Sequence, residues 1–251
     1  MSIAVLVKQV PDTTSKISIA NGRVDESSVS KWAISPYDEY ALEAALQLKE
    51  SGFGSLIAIT CGPARSAKCL TDAAAVGADE LIHVIVEGNL DSTQIQALLS
   101  AAISHSGAEV VLCGKQAADT NSGSTGPGLA KIMGAACVGV VSEVSSEGDA
   151  LLATRSVSSG LEKVSVHPPC VITFDKGVSE LRRPNVRGIM MAKKKEVQVL
   201  TPDDLGVPLE DSVVSIESHS PPPEKPPGQI FEGPDSVPGV VGKLRDEANV
   251  I

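Results

Sequence analysis

EVVLCGKQAADTNSGSTGPGLAKIMG, residues 109–134, sets three kinds of local structure side by side. Residues 109–113 are a short β-branched apolar run, the pattern of a strand buried on both faces. Gly114 to Gly128 is a Gly/Ser-rich loop, and residues 124–134 read as a helix whose first turn is obscured by Gly126, Pro127 and Gly128. A loop at the C-terminal end of a parallel strand that opens a helix offers backbone N–H groups and a positive dipole end to an anion such as phosphate. A plain connection using Gly to turn and Ser or Thr to cap has the same composition, so the loop alone leaves both readings open. The stretch lacks the order G-x-x-x-x-G-K-[ST], and no G-x-G-x-x-G follows the first strand. Neither a P-loop nucleotidase nor an ordinary dinucleotide dehydrogenase is indicated.

Working outward, equivalent apolar runs occur at residues 3–10, 56–60 (LIAIT) and 81–86 (LIHVIV), each followed by a helix-compatible segment. This is the βαβ rhythm of a parallel sheet. The clearest helix spans 36–50: Ser35 stands at the N-cap, Pro36 at the first helical position, Asp38 and Glu39 in the first turn, and Gly52 ends it. Residues 66–76 and 92–105 give two more helices. From about residue 138 the texture changes to β-like runs at 138–144, 150–157, 161–166 and 170–174, which predict hairpins and hence a mixed sheet. A short strand, EVQVL, follows Lys195. SPPPEKPPG at 220–228 predicts an extended arm, and residues 237–248 a short amphipathic helix that needs a surface to pack on. The domain reading is residues 1–200 as the α/β unit and 201–251 as an arm reaching a partner chain.

Composition narrows the function classes. The chain has 251 residues, 42% hydrophobic and 2% aromatic, so its core is built from Val, Ile, Leu and Ala. A net charge of −10 opposes binding to nucleic acid or anionic membranes, and Lys193, Lys194 and Lys195 form the one basic run. No apolar stretch reaches membrane-spanning length and no basic leader precedes the first strand, which reads as cytoplasmic without membrane insertion. Cys61, Cys69, Cys113, Cys137 and Cys170 have neither C-x-x-C spacing nor nearby histidines. They read as small hydrophobes, with no metal site expected.

Two further candidate sites carry chemistry. VLVKQVPD (5–12), ISPYDEYALEAALQLKE (34–50) and CGP (61–63) lie where strand ends and a helix N-terminus converge on the crevice of an α/β sheet. Taken alone, Tyr37 reads as a surface aromatic at a helix start and Tyr40 as a partly buried staple. LRRPNVRGIMMAKKK (181–195) reads as a basic loop exposing Val186, Ile189, Met190 and Met191, a surface suited to an acidic docking face.

Taken together, VLVKQVPD, SPYDEYALEAALQLKE, TCGPARS, GADELIHV, GKQAADTNSGSTG and PNVRGIMMAKKK resemble, in order and spacing over about residues 1–215, the β-subunit family of electron transfer flavoproteins. The resemblance implies a Rossmann-like α/β fold of the adenine-nucleotide-binding type with added antiparallel strands. It also implies pairing with an α subunit that holds most of the contacts to FAD, and an AMP buried in the β-subunit crevice. By position, the AMP site resembles Leu6, Ser35, Pro36, Tyr37, Asp38, Cys61 and the run Gly114, Lys115, Gln116, Ala117, Ala118, Asp119, Thr120, Asn121, Ser122, Gly123, Ser124 and Thr125, with the phosphate at the amides of 121–125. Thr13 and Tyr37 fall near the flavin, though the aromatic common at the former position is replaced. Val186, with Arg187, Ile189 and Met190, falls where the family docks acyl-CoA dehydrogenases and related flavin dehydrogenases, and a quinone-linked oxidoreductase would take the electrons onward. No catalytic side chain is expected, so the chain reads as a carrier subunit and not an enzyme. Within the family the rival is an electron-bifurcating, NADH-oxidising complex with a second FAD in place of AMP. From another class, the rival is an adenine-nucleotide-binding stress-type regulator.

Overall fold

A computed structural model describes residues 1–251 except Asn89, Glu210 and Pro226. In chain order the elements are β1 (Ser2–Leu6), β2 (Gln9–Pro11), β3 (Ile19–Ala20), β4 (Arg23–Val24), β5 (Trp32–Ile34), α1 (Pro36–Glu50), β6 (Ser55–Gly62), α2 (Ala67–Val76) and β7 (Glu80–Ile85). They continue with α3 (Ser92–Ser106), β8 (Val110–Gly114), α4 (Thr125–Met133), β9 (Ala136–Glu147), β10 (Ala150–Val157), β11 (Gly160–Val166), β12 (Cys170–Phe174), α5 (Val186–Ala192), β13 (Gln198–Leu200) and α6 (Val237–Asp246).

The main sheet runs β11-β10-β9-β12-β8-β1-β6-β7-β13. Every neighbouring pair from β9 to β13 is parallel, and β10 and β11 add an antiparallel meander at one edge. The fold is therefore the expected Rossmann-like α/β sheet with added antiparallel strands. From β1 the chain winds to β6 and β7, then crosses back to β8 on the other side of β1, which makes the β1/β8 boundary the switch point where α/β sheets open a crevice. Alternate residues of the central strands feed two cores. Ile3, Val5, Leu56 and Leu112 pack with α1 and α2 on one face, while Ala4, Ile57, Ile59 and Val111 pack with α3 and α4 on the other. Fully buried side chains such as Leu98 and Ile103 each contribute roughly 1.5–3 kcal/mol of transfer free energy.

Three expectations are revised. The apolar run 3–10 is two strands: the chain leaves the sheet at Val7 and Lys8, and Gln9–Pro11 pairs with Trp32–Ile34 in a separate ribbon. β12 is not a hairpin partner of β11. It inserts between β8 and β9, parallel to both, because its sequence CVITF, apolar but for Thr173 and buried throughout, suits an interior position covered on both faces. The basic segment expected as a loop contains a helix, α5, capped by Asn185, whose side chain accepts from the Gly188 N–H at 2.7 Å. Beyond β13 the chain forms the turn at 201–206, held by Asp204 on the Thr201 N–H at 2.8 Å, and the described residues from there to the turn preceding α6 have no regular structure.

Candidate functional site

The crevice lies over the C-terminal ends of β1, β6 and β8 and is completed by the start of α3, with a cavity of about 200 Å³. Its apolar wall is Leu6, Ile59, Ile95 and Leu99, and its polar wall comes from Lys8, Thr60, Ser92 and the loop after β8. Of the residues singled out in the sequence, Leu6, Asp38, Cys61, Gly114, Lys115, Gln116, Ala117, Thr120, Ser122, Gly123 and Thr125 line it directly. Leu90, just ahead of α3, and Ser92, Ile95 and Leu99 of α3 line it too; the pattern of that helix reads as ordinary core and gives no signal of a site. The crossover that brings α3 against this crevice is a property of topology, invisible in local sequence.

α1 builds the crevice from below. Asp38, buried in its first turn, accepts the Lys8 N–H at 2.8 Å with one carboxylate oxygen and the Gly114 N–H at 2.9 Å with the other. It thereby ties the exit of β1 to the exit of β8. Burial pushes this carboxyl up to about 7, while the two N–H donors pull the other way. Gly114 has to be glycine, since a Cβ there would lie 2.6 Å from Asp38 Oδ1 and 2.7 Å from Tyr37 Cβ. Ser35 holds the N-cap position as expected, but its hydroxyl is turned to the loop, accepting the Ala118 N–H at 3.3 Å, rather than capping its own helix. Ser35 and Asp38 therefore act on the loop after β8 from outside the cavity and from its floor, respectively.

That loop is shaped by its own backbone. Asn121 and Gly123 take positive φ angles of 52° and 65°. Alternation of this kind turns successive N–H groups to one side, forming an anion-binding concavity. The Asn121 N–H is committed to Ala117 O at 2.9 Å, and Gln116 Nε2 donates to Asn121 Oδ1 at 2.8 Å. The Ser122 and Gly123 N–H groups bond to none of the described residues. Ser124 Oγ is buried and finds no hydrogen-bond partner among the described residues, while its carbonyl accepts from Gln96 Nε2 at 3.0 Å. Gly126 lets α4 press on β12, because a Cβ there would fall 2.2 Å from Thr173 Cγ2. Across the opening, Lys8 Nζ pairs with both Asp119 oxygens at 2.8 Å.

Tyr37 is half-buried with Lys115 Nζ 4.9 Å from its ring centroid, and that lysine also pairs with Asp175 at 2.9 Å. Thr13 is exposed and separate from the cavity lining. Cys61 lines the crevice as an apolar group, since burial pushes its thiol up to about 12. Cys69, Cys113 and Cys170 are buried as expected, whereas Cys137 is exposed on β9. Val186, Arg187, Ile189 and Met190 all face solvent on α5, remote from the crevice lining.

A family model described as electron transfer flavoprotein domain matches residues 24–205. The electron transfer flavoprotein subunit beta of Bacillus subtilis is 33% identical over the full length of both chains. That of Homo sapiens is 34% identical over 98% of this chain and 97% of its own, and that of Bradyrhizobium diazoefficiens 30% identical over all of both. With the switch-point crevice, the loop after β8 and this end-to-end similarity in agreement, the chain belongs to the electron transfer flavoprotein β-subunit family.

Proposed function

We propose that this chain, paired with an α subunit, carries electrons from flavin dehydrogenases of the acyl-CoA dehydrogenase type to a quinone-linked oxidoreductase, through an FAD held mainly by the α subunit. In this reading residues 1–200 form the nucleotide-binding unit, residues 201–251 are an arm that packs on the α subunit, and the complex works in the cytoplasm. AMP occupies the crevice of this chain. The observation that carries the assignment is the pair of Ser122 and Gly123 N–H groups on the crevice wall, which bond to none of the described residues, with the Ser124 hydroxyl next in sequence buried and without a partner among the described residues. A buried polar atom without a partner costs about 1–3 kcal/mol, a cost that a phosphate oxygen would remove.

The residues present fit an adenosine monophosphate. Leu6, Ile59, Ile95 and Leu99 supply an apolar wall for a planar base, and the loop after β8 supplies donors for a phosphate. Asp38 keeps the two walls at a fixed separation. FAD supplies the redox chemistry when bound, and this chain's part is to position it and shield it from water. Tyr37, held by Lys115, and Thr13 are the side chains this reading places nearest the flavin. No side chain of the chain is assigned acid, base or nucleophilic work, in keeping with carrier subunits in this family. Val186, Ile189 and Met190 on α5, ringed by basic residues, dock the dehydrogenase.

The test is to co-express the chain with its α subunit, denature the purified complex and count the released nucleotides. One FAD and one AMP per heterodimer are expected. Two FAD without AMP would make the complex electron-bifurcating, and no flavin would end both readings. Ser124→Ala, which removes the hydroxyl without disturbing FAD, should lower AMP content.

A further inference from the structure

Building on the docking role of α5, we propose that Arg182 and Lys195 are positioning residues that brace this segment from both ends, so that a partner meets it already shaped. The segment needs such bracing. It follows residues 175–185, which have no regular structure, and its seven-residue helix is too short to hold itself.

The upstream brace is a grip by α1. Arg182 Nε donates to Glu43 Oε2 at 2.9 Å and Nη2 to Glu43 Oε1 at 2.9 Å, while the Arg182 N–H reaches Glu43 Oε2 at 3.2 Å. Nη1 extends to Glu50 Oε1 at 2.5 Å. Between these carboxylates, Gln47 donates to Glu43 Oε1 at 3.2 Å and accepts the Ser179 hydroxyl at 3.3 Å. Positions 43, 47 and 50 share one face of a helix, so a single stripe of α1 fixes residues 179–182. Glu43 is 5% exposed, and such a carboxylate persists ionised only with a matched partner, which the planar guanidinium fork provides.

The downstream brace is Lys195, whose ammonium donates to the carbonyls of Ala78 and, at 2.8 Å, Asp79. Asp79 is in turn bound by Lys49 of α1 at 2.6 Å. Between the braces α5 lies against α2 so closely that a Cβ on Gly188 would sit 2.2 Å from Ala75 O. The result is a rigid mount with Val186 76% and Met190 61% exposed. The basic run therefore divides. Lys195 is spent on the fold, whereas Arg183, Arg187, Lys193 and Lys194 are exposed and form no ion pair among the described residues. The surface they make fits an apolar pocket rimmed with carboxylates, and preorganisation removes the ordering cost that docking would otherwise carry.

The experiment uses the heterodimer with the α subunit and three variants: the double change Glu43→Gln with Arg182→Gln, which removes the buried charge together with its partner, Lys195→Gln, and Val186→Ala. Amide hydrogen exchange over residues 186–192 and steady-state electron acceptance from a flavin dehydrogenase are measured on each. In the first two, exchange should quicken and KM for the heterodimer should rise about tenfold with kcat nearly unchanged, as lost preorganisation predicts. FAD content and reduction by dithionite should not change. Faster exchange with an unchanged KM, or unchanged exchange, would overturn the bracing role. In either case a raised KM for Val186→Ala would leave docking through α5 intact, and an unmoved one would remove it as well.

Discussion

α1 carries two buried carboxylates, and they serve two different regions. Asp38, in its first turn, hydrogen-bonds only backbone N–H groups and holds the crevice proposed for the nucleotide; Glu43 meets a guanidinium and holds the segment proposed for docking. Burial pushes both upward. For Asp38 burial prevails over the two backbone N–H groups and the charge of Lys8, and the carboxyl ends near 7, whereas for Glu43 the hydrogen bonds and charge of Arg182 outweigh burial and bring it below the ordinary glutamate value. The crevice is thus fixed by backbone and steric fit, and the docking segment by ionic bracing. The first should tolerate salt and fail on small changes of volume, and the second should tolerate volume at its surface and fail when a charge is left alone.

The largest expected effect comes from breaking the ion pair on one side. Arg182→Gln alone strands Glu43 and should destabilise the chain by about 3 kcal/mol in denaturant unfolding, whereas the double change with Glu43→Gln should recover most of that loss. If single and double changes cost the same, Glu43 is not paying a desolvation penalty relieved by Arg182. Next is Gly126→Ala, whose added methyl would collide with Thr173. It should cost about 2 kcal/mol and lower AMP content while leaving the KM for dehydrogenases unchanged. Loss of docking without loss of nucleotide would show that the regions are not separable in the way described.

The two carboxylates should also separate by pH. The Asp38 carboxyl is raised in the folded chain, so its contribution is fully present below the unfolded aspartate value near 3.8 and is lost as pH rises through about 7. The native chain should therefore lose ground to Asp38→Asn between those limits, an Asn that itself costs about 1–2 kcal/mol because one N–H loses its acceptor. Glu43 is lowered, so its contribution is present above the ordinary value of 4.5 and is lost as pH falls below it. Stability measured against pH for Asp38→Asn and for the Glu43/Arg182 double change should give differences of opposite slope; parallel slopes would contradict the contrast. The smallest effect on stability is that of Val186→Ala, at a position so exposed that unfolding should shift by no more than about 0.5 kcal/mol while electron acceptance weakens.

Much of this was legible in the chain itself where structure is local. The strand ahead of Gly114, the helix opened by Ser35-Pro36 and the loop between Gly114 and Thr125 all carry their own signals. α5 did not, because Pro184 and Gly188 argue against helix locally. Its conformation depends on a cap from Asn185 and on Gly188 fitting against Ala75, a contact between distant parts of the sequence. The interior place of β12 follows from a topology that no hairpin spacing reveals. Ser35 has the sequence signature of a helix cap, yet its hydroxyl bonds the loop after β8, 83 residues away. Likewise nothing in the local sequence marks Glu43 as buried; its partner, Arg182, lies 139 residues on.

Whether this chain is part of an electron carrier is best asked of the purified heterodimer under anaerobic conditions. A flavin dehydrogenase in catalytic amount and its substrate are added while the visible absorbance of the bound flavin is followed. Bleaching of the full flavin complement, slowed in Val186→Ala, is the predicted result. A flavin that dithionite reduces readily but the dehydrogenase leaves oxidised would contradict the account.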